Sequence, residues 1–184
     1  MNLFNQLYGA IEPSVHTLAA QVRLVICDID GVFSDGRIYL GNAGEELKAF
    51  HTRDGFGVKA LLNADIAVAV ITGRNSKIVE NRMTALGVAH IYQGCDDKSI
   101  AFNELKQKYQ ISDQQIAYIG DDMPDLPLIK QVGLGVAVQD AHPLVSQSAN
   151  YITFKSGGHG AVRELSDLIL INQNKFEQYY GASV

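Results

Sequence analysis

The chain has 184 residues, of which 47% are apolar and 19% are charged; this is the composition of a folded globular protein and excludes extensive disorder. Its formal net charge of −5 disfavours a broad surface for nucleic acid or for an anionic membrane. The two cysteines follow no zinc-ligand pattern and favour reduced thiols in a cytoplasmic protein. Residues 1–20 show no signal peptide, and the longest apolar run, 66–71, is too short to span a bilayer. The length is that expected of a single domain over residues 1–184.

The first elements of the chain are short helices and a buried strand. Residues 1–20 carry scattered apolar positions broken by Pro13, which predicts one or two short helical pieces on the outside. Residues 24–27 are apolar in succession and predict a strand buried on both faces of a parallel sheet. Asp28 and Asp30 follow, and in an extended segment their side chains would point the same way. Two like charges this close favour a bound divalent cation, but the pair is also compatible with a simple turn that closes the strand.

A β-hairpin and then a helix are predicted before the second long strand. Residues 37–51 contain two partly alternating runs around a Gly-Asn-Ala-Gly turn, which predicts a hairpin that projects as a flap from the top edge of the sheet. A loop over 51–55 and a helix through Lys59 and Leu62 follow it.

From residue 66 onward, apolar strands alternate with amphipathic helices. Strands are predicted at 66–71, 90–92, 116–119, 134–138 and 151–153, and helices at 76–86, 99–109, 125–131, from 142, and at 161–171. This alternation is typical of βαβ units with helices on both faces of the sheet. It predicts an α/β fold with a three-layer, Rossmann-like parallel sheet, and in such folds ligands lie at the carboxyl ends of the strands.

Polar residues stand at those strand ends. Thr72 follows the second long strand and is succeeded by a glycine, which alone is a common helix-opening turn. Lys98 stands at the start of a predicted helix, where the helix dipole disfavours a cation. Asp121, Asp122 and Asp125 come directly after the strand at 116–119. Capping would explain one of these acids, whereas three together predict a site for a hard cation.

Taken in chain order, the residues at the strand ends resemble the four motifs of the haloacid dehalogenase superfamily. The motifs are Asp-x-Asp-Gly at 28–31, Thr-Gly at 72–73, Lys98, and Gly-Asp-Asp-x-x-Asp at 120–125. Further segments resemble the 3-deoxy-D-manno-octulosonate 8-phosphate phosphatase family, and these are 41–50, 53–55, 71–74, 138–143 and 157–164. Each motif alone is weak, and their order along nearly the whole chain is the specific feature. Relatives that act on nine-carbon sugar-acid phosphates share much of this pattern.

The resemblance implies a Mg²⁺-dependent phosphatase that acts through an aspartyl-phosphate in the synthesis of the sugar acid of lipopolysaccharide. Asp28 would be the nucleophile, and Asp30 would donate a proton to the leaving oxygen and then accept one from water. The Asp28 carboxylate, the Asp30 backbone carbonyl and Asp121 would hold Mg²⁺. Thr72 and Lys98 would bind the phosphoryl oxygens.

Supporting and substrate-binding residues are also implied. Asp122 is the preferred supporting acid, with Asp125 as a helix cap. The implied substrate contacts are Asp30, His51, Thr52, Arg53, Asp54, Gly55, Lys59, Arg74, Arg82 and Lys98. Arg74 and Arg82 are about two helical turns apart and are expected on one side of a helix. The alternative for Lys59 and Arg82 is a solvated helix face, and His159 stands where the family often has Arg, so its role is left open.

The resemblance further implies a homotetramer without a cap domain, assembled on the hairpin at 37–51. Because an open site admits water and offers little surface for specificity, a neighbouring subunit is expected to supply the lid. The tail after Asn172, with Phe176, Tyr179 and Tyr180, is either part of such a lid or a frayed terminus.

Two other functional classes use similar residues. A phosphoacceptor signalling domain also places acids, a threonine and a lysine at parallel strand ends, but it lacks an acid two residues after the nucleophile. A non-catalytic oligomeric scaffold would be expected to have lost a motif position, and none is lost here. An oxygen-rich site accepts Mg²⁺, Co²⁺ or Mn²⁺, so the sequence leaves the preferred metal open, as it does the choice between eight- and nine-carbon substrates.

Overall fold

The computed structural model describes residues 2–179 and contains a parallel sheet between two layers of helices. The strands are β1 (Leu24–Cys27), β2 (Tyr39–Leu40), β3 (Glu46–Leu47), β4 (Ala67–Ile71), β5 (His90–Tyr92), β6 (Ile116–Gly120), β7 (Leu134–Ala137) and β8 (Tyr151–Ile152). The α-helices are α1 (Leu3–Leu7), α2 (Pro13–Ala19), α3 (Thr52–Asn63), α4 (Lys77–Leu86), α5 (Lys98–Tyr109), α6 (Leu126–Gln131), α7 (Pro143–Ser148) and α8 (Ala161–Asn172). The sheet has the order β5-β4-β1-β6-β7-β8 with every pair parallel, and β2 and β3 form a separate antiparallel hairpin.

Strand β1 lies inside the sheet because all of its side chains are apolar. Leu24 and Ile26 point to one face, where α5, α6 and α7 pack, and Val25 and Cys27 point to the other, where α1, α2, α3, α4 and α8 pack. All four residues are fully buried. The predicted three-layer α/β architecture is confirmed.

The predicted elements are present, with shifts of one or two residues at several ends. The helix expected at 99–109 begins one residue earlier, and the helix expected at 125–131 begins at Leu126 after a single 3₁₀ turn over Met123–Asp125. The largest difference is at residues 52–55, which were expected as a loop and instead form the first turn of α3. His51 is the N-cap of this helix, since its Nδ1 accepts a hydrogen bond from the Arg53 N–H at 3.1 Å.

Two glycines explain why the first turn of α3 was missed in the sequence. Gly55 and Gly57 lower intrinsic helix propensity, but both are buried against neighbouring helices. A Cβ on Gly55 would lie 2.4 Å from Nη2 of Arg82, and one on Gly57 would lie 2.7 Å from Oγ of Ser166. Tertiary packing therefore overrides local propensity here.

The described residues between β1 and β4 form only a turn, the hairpin and α3, so no cap domain covers the carboxyl edge of the sheet, as predicted. The hairpin exposes the apolar side chains of Tyr39, Leu40 and Leu47. Within residues 2–179, no helix has the length and apolar character needed to cross a membrane.

Candidate active site

A cleft of about 430 Å³ lies at the carboxyl edge of the sheet, where β1, β4 and β6 end. Its lining includes eight residues singled out from the sequence, namely Asp28, Asp30, Thr72, Arg74, Lys98, Asp121, Asp122 and Asp125. The topology thus brings together side chains from four separate segments of the chain.

Asp28 and Asp30 reach the cleft by different backbone conformations. The Asp28 N–H donates to the Ile119 carbonyl at 3.1 Å and so continues the pairing of β1 with β6. The chain then turns, because the N–H groups of Val32 and Phe33 both donate to the Ile29 carbonyl. Asp30 therefore lies in a turn, and the expectation of an extended segment across both acids was wrong. The turn alternative was correct for the backbone, yet both acids line the cleft.

Lys98 forms the positive centre of the cleft. Its Nζ lies 2.9 Å from Asp28 Oδ1 and donates a hydrogen bond to Asp125 Oδ1 at 2.7 Å, with all three side chains buried. Burial lowers the pKa of Lys98, but the two carboxylates outweigh it and raise that pKa above its ordinary value. The helix dipole disfavours a lysine at a helix start by only about 0.3–1 kcal/mol. The attraction of the two carboxylates outweighs this cost and explains the position of Lys98.

Of the two acids, Asp125 and not Asp122 contacts Lys98. Asp125 is buried, and its Oδ1 also accepts from the Tyr118 hydroxyl at 2.6 Å, while its Oδ2 accepts from the backbone N–H groups of Asp121 and Asp122. Its carboxylate fits there because Gly120 has no side chain; a Cβ on Gly120 would lie 2.4 Å from that of Asp125. Asp122 is exposed and accepts from the Met123 N–H at 2.8 Å, so the sequence-based preference for Asp122 was wrong.

Three carboxylates form a candidate cation site. Oxygens of Asp28, Asp121 and Asp125 lie within 4.8 Å of one another. Asp121 reaches this position by lying against Gly31, where a Cβ would be 2.1 Å from Asp121 Oδ2. Burial, together with the charges of Asp28 and Asp125, raises the pKa of Asp121 to about 8, and burial and Asp125 also raise that of Asp28. The single charge of Lys98 therefore does not offset burial and the repulsion among the three carboxylates.

The oxygens of this cluster are unequally available to a cation. Both oxygens of Asp125 already accept hydrogen bonds, whereas Asp28 Oδ1 is paired with Lys98 Nζ at 2.9 Å. Carboxylate oxygens are the donors that Mg²⁺ and similar hard cations prefer. Asp28 and Asp121 thus fit a divalent metal, with Asp125 holding Lys98 and the backbone around it.

Thr72 and Arg74 enter the cleft from the loop after β4. Thr72 is buried, and its backbone is fixed because its N–H donates to the Tyr92 carbonyl at 2.9 Å. Helix α4 begins only at Lys77, so Thr72 does not open it directly and Arg74 lies outside it. The argument that placed Arg74 and Arg82 on one side of a helix was therefore wrong. Arg74 lines the cleft with its Nε 3.8 Å from Asp30 Oδ2, whereas Arg82 packs against Gly55 of α3.

The hairpin contributes two residues that the sequence reasoning did not assign to the site. Lys48 forms an ion pair through its Nζ with Asp30 Oδ1, and its side chain is 0% exposed. Glu46 accepts hydrogen bonds from the Ser76 hydroxyl at 3.0 Å and from Arg74 Nη2 at 3.3 Å. The available signal was the spacing of two within the predicted hairpin, which would place Glu46 and Lys48 on one side of an extended segment.

Comparison with known proteins identifies the family. The model of the haloacid dehalogenase-like hydrolases matches residues 86–165. The 3-deoxy-D-manno-octulosonate 8-phosphate phosphatase of Yersinia pestis is 54% identical over 177 residues, which cover 96% of this chain and 95% of that protein. The chain belongs to the 3-deoxy-D-manno-octulosonate 8-phosphate phosphatase family of haloacid dehalogenase-like hydrolases. It is a phosphoric monoester hydrolase, and the predicted enzyme class is confirmed.

Solved structures of this phosphatase family share the fold. The crystal structure of the Yersinia pestis protein has a TM-score of 0.92 and covers 93% of this chain and 92% of its own. The Moraxella catarrhalis phosphatase, solved in complex with a magnesium ion, a phosphate ion and KDO, is 41% identical, has a TM-score of 0.90, and covers 92% of this chain and 98% of its own. A cobalt-bound form of the Haemophilus influenzae phosphatase is 39% identical and has a TM-score of 0.84; it covers 89% of this chain and 98% of its own.

The remaining predicted substrate contacts of this phosphatase lie away from the cleft of a single protomer. They are His51, Thr52, Arg53, Asp54, Gly55, Lys59 and Arg82, and none of them lines it. Asp54 is buried and accepts the Arg163 N–H at 2.8 Å at the start of α8, which is a capping contact. Thr52 and Arg53 are exposed on the first turn of α3. Their assignment to the substrate stays a prediction that depends on assembly.

Proposed function

We propose that this phosphatase hydrolyses 3-deoxy-D-manno-octulosonate 8-phosphate through an aspartyl-phosphate, in the synthesis of the sugar acid of lipopolysaccharide. The observation that carries the proposal is the position of Asp28, whose buried carboxylate faces Lys98 at the end of β1 and shares the cation cluster with Asp121. High identity to named phosphatases over nearly the whole chain supports the substrate.

The first chemical step transfers the phosphoryl group to Asp28. An Asp28 oxygen bonds to phosphorus while the bond from phosphorus to the sugar oxygen breaks, and that oxygen takes the proton of Asp30. In the second step Asp30 takes a proton from a water molecule, whose oxygen bonds to phosphorus as the Asp28–phosphorus bond breaks. Inorganic phosphate leaves and both acids return to their starting states.

Lys98 and Thr72 stabilise the charge that moves during both steps. Lys98 holds Asp28 in place and offers a positive charge to the phosphoryl oxygens, while Thr72 offers a hydroxyl donor at the neighbouring strand end. Mg²⁺, when bound by Asp28 and Asp121, supplies further neutralisation of the phosphoryl group. We assign Mg²⁺ because the donors are oxygens, and the magnesium complex of the Moraxella protein supports that choice.

We also propose that the enzyme assembles as a homotetramer through the hairpin. Tyr39, Leu40 and Leu47 are 51%, 74% and 63% exposed on this small element, and such a cluster of apolar side chains is typical of an interface. The predicted tail contact fits less well for Phe176, which packs against the core of its own protomer. Tyr180 lies outside the described residues.

The test is phosphate release from a panel of eight- and nine-carbon sugar-acid phosphates and simple sugar phosphates, with Mg²⁺ and after chelation. We expect the eight-carbon substrate to have the highest kcat/KM, with activity lost in chelator and restored by Mg²⁺. Asp28→Asn should lower kcat at least about 10³-fold because it removes the nucleophile. Asp113→Asn, at a surface ion pair, is the matched control. A preference for a nine-carbon substrate would refute the proposed substrate. Full activity of Asp28→Asn would refute the proposed mechanism.

A further inference from the structure

We infer that Lys48 of the hairpin is a positioning residue, which holds Asp30 Oδ1 so that Asp30 Oδ2 is the oxygen that carries and transfers the proton. The inference deepens the proposed function and depends on the role given there to Asp30. Lys48 acts through Asp30, so it is not itself a catalytic residue.

The two oxygens of Asp30 have different surroundings. Oδ1 faces Lys48 Nζ in an ion pair and lies 3.5 Å from the Ser34 hydroxyl. Oδ2 is buried and has no hydrogen-bond partner among the described residues; Arg74 Nε lies 3.8 Å from it, beyond hydrogen-bond distance. One oxygen is therefore held, and the other is buried without a hydrogen-bond partner on a residue that lines the cleft.

The lysine is held rigidly enough to fix a carboxylate. Its side chain is 0% exposed, and burial of a lysine requires a paired charge. Glu46 of β3, two residues earlier, lies 3.9 Å from Lys48 Nζ and accepts hydrogen bonds from Ser76 and Arg74 in the segment after β4. These bonds fasten the hairpin to the segment after β4, beside the ion pair of Lys48 with Asp30.

This arrangement separates the tasks of the two oxygens during hydrolysis. In the first step the Oδ2–H bond breaks as a bond from that proton to the leaving sugar oxygen forms, and the electron pair of the phosphorus–oxygen bond stays on that oxygen. In the second step a proton of water passes to Oδ2 as the water oxygen bonds to phosphorus. Lys48 remains paired with Oδ1 throughout, so Oδ2 keeps its direction.

Aryl phosphates with different leaving groups test this role without any sugar contact. Phenyl phosphate releases a poor leaving group that needs a proton, whereas 4-nitrophenyl phosphate releases a good one that needs little assistance. The experiment measures kcat/KM for both esters with Mg²⁺, since this constant reports the step that expels the leaving group. The variants are Lys48→Met, Lys48→Arg, and Lys48→Met in an Asp30→Asn background.

We expect Lys48→Met to lower kcat/KM for phenyl phosphate about tenfold more than for 4-nitrophenyl phosphate, since general acid catalysis contributes about 10²-fold or more. Lys48→Arg should recover most of the difference, and Lys48→Met should add less than about twofold once Asp30 is Asn. Lys106→Met is the matched control, because it removes the lysine of another ion pair, with Asp113 at 2.8 Å. It should leave both constants at wild-type values.

The ratio between the two esters comes from one preparation, so partial misfolding of a variant cancels. Equal losses on both esters would overturn the inference, because they would indicate a contact to the phosphate or a purely structural role. If Asp28→Asn keeps wild-type activity on these esters, the proposed function fails. If Asp28→Asn abolishes it and Lys48→Met leaves the ratio unchanged, only the role of Lys48 fails.

Discussion

The two acids of the Asp-x-Asp pair are held by different parts of the molecule. Asp28 is buried and faces Lys98, which is carried by α5 and fixed by Asp125 from the segment after β6. Asp30 is partly exposed and faces Lys48, which is carried by the hairpin outside the main sheet. The proposed nucleophile thus depends on the packed core, and the proposed proton-transfer acid depends on the hairpin. The same flap exposes the apolar side chains expected at the subunit interface.

The largest effect is expected on the core side, from Lys98→Met. This variant leaves Asp28 and Asp125 buried without their counter-charge, which should destabilise the metal-free enzyme by about 3–5 kcal/mol. Loss of an electrostatic stabiliser should also lower kcat about 10²–10³-fold. Urea unfolding in chelator and steady-state kinetics measure the two effects. Lys106→Met, in a partly exposed pair, should cost no more than about 1 kcal/mol, and equal unfolding free energies for the two variants would contradict the prediction.

A smaller effect should separate the two neighbouring acids after β6. Asp125→Ala removes the acceptor of Lys98, Tyr118 and two backbone N–H groups, and should lower kcat/KM about 10–100-fold, as is typical for groups that orient metal ligands. Asp122→Ala removes only a cap worth about 1 kcal/mol of stability and should keep kcat/KM within about threefold. If Asp122→Ala were the more damaging variant in kinetics, the assignment of the supporting acid would be reversed.

The smallest effect is expected on the flap side, from the double variant Leu40→Asp with Leu47→Asp. Charges on the exposed face of the hairpin should dissociate the proposed tetramer, which sedimentation velocity measures. Loss of the hairpin's support should lower kcat about tenfold, because proton transfer by Asp30 weakens while the core half of the site stays intact. Leu7→Asp, on an exposed position of α1, should leave assembly and rate unchanged. A double variant that stays tetrameric would exclude the hairpin as the interface.

The sequence alone predicted the parallel sheet and the positions of most reactive groups. The apolar run of β1 allowed only burial on both faces, and the regular alternation of strands and helices required crossovers that bring Asp28, Thr72, Lys98 and Asp121 to one edge. These predictions depend on residues whose pattern is visible within a few positions.

Tertiary contacts alone decided which side chains turn inward. Asp122 and Asp125 have similar local signals, and only the pocket beside Gly120 and the distant Lys98 select Asp125. Asp54 was predicted at the substrate but caps a helix 109 positions away, and Lys48 reaches Asp30 across 18 positions. Local propensity describes how a segment folds by itself. The partner of a buried charge depends on which distant segments pack beside it, so only the folded chain determined those partners.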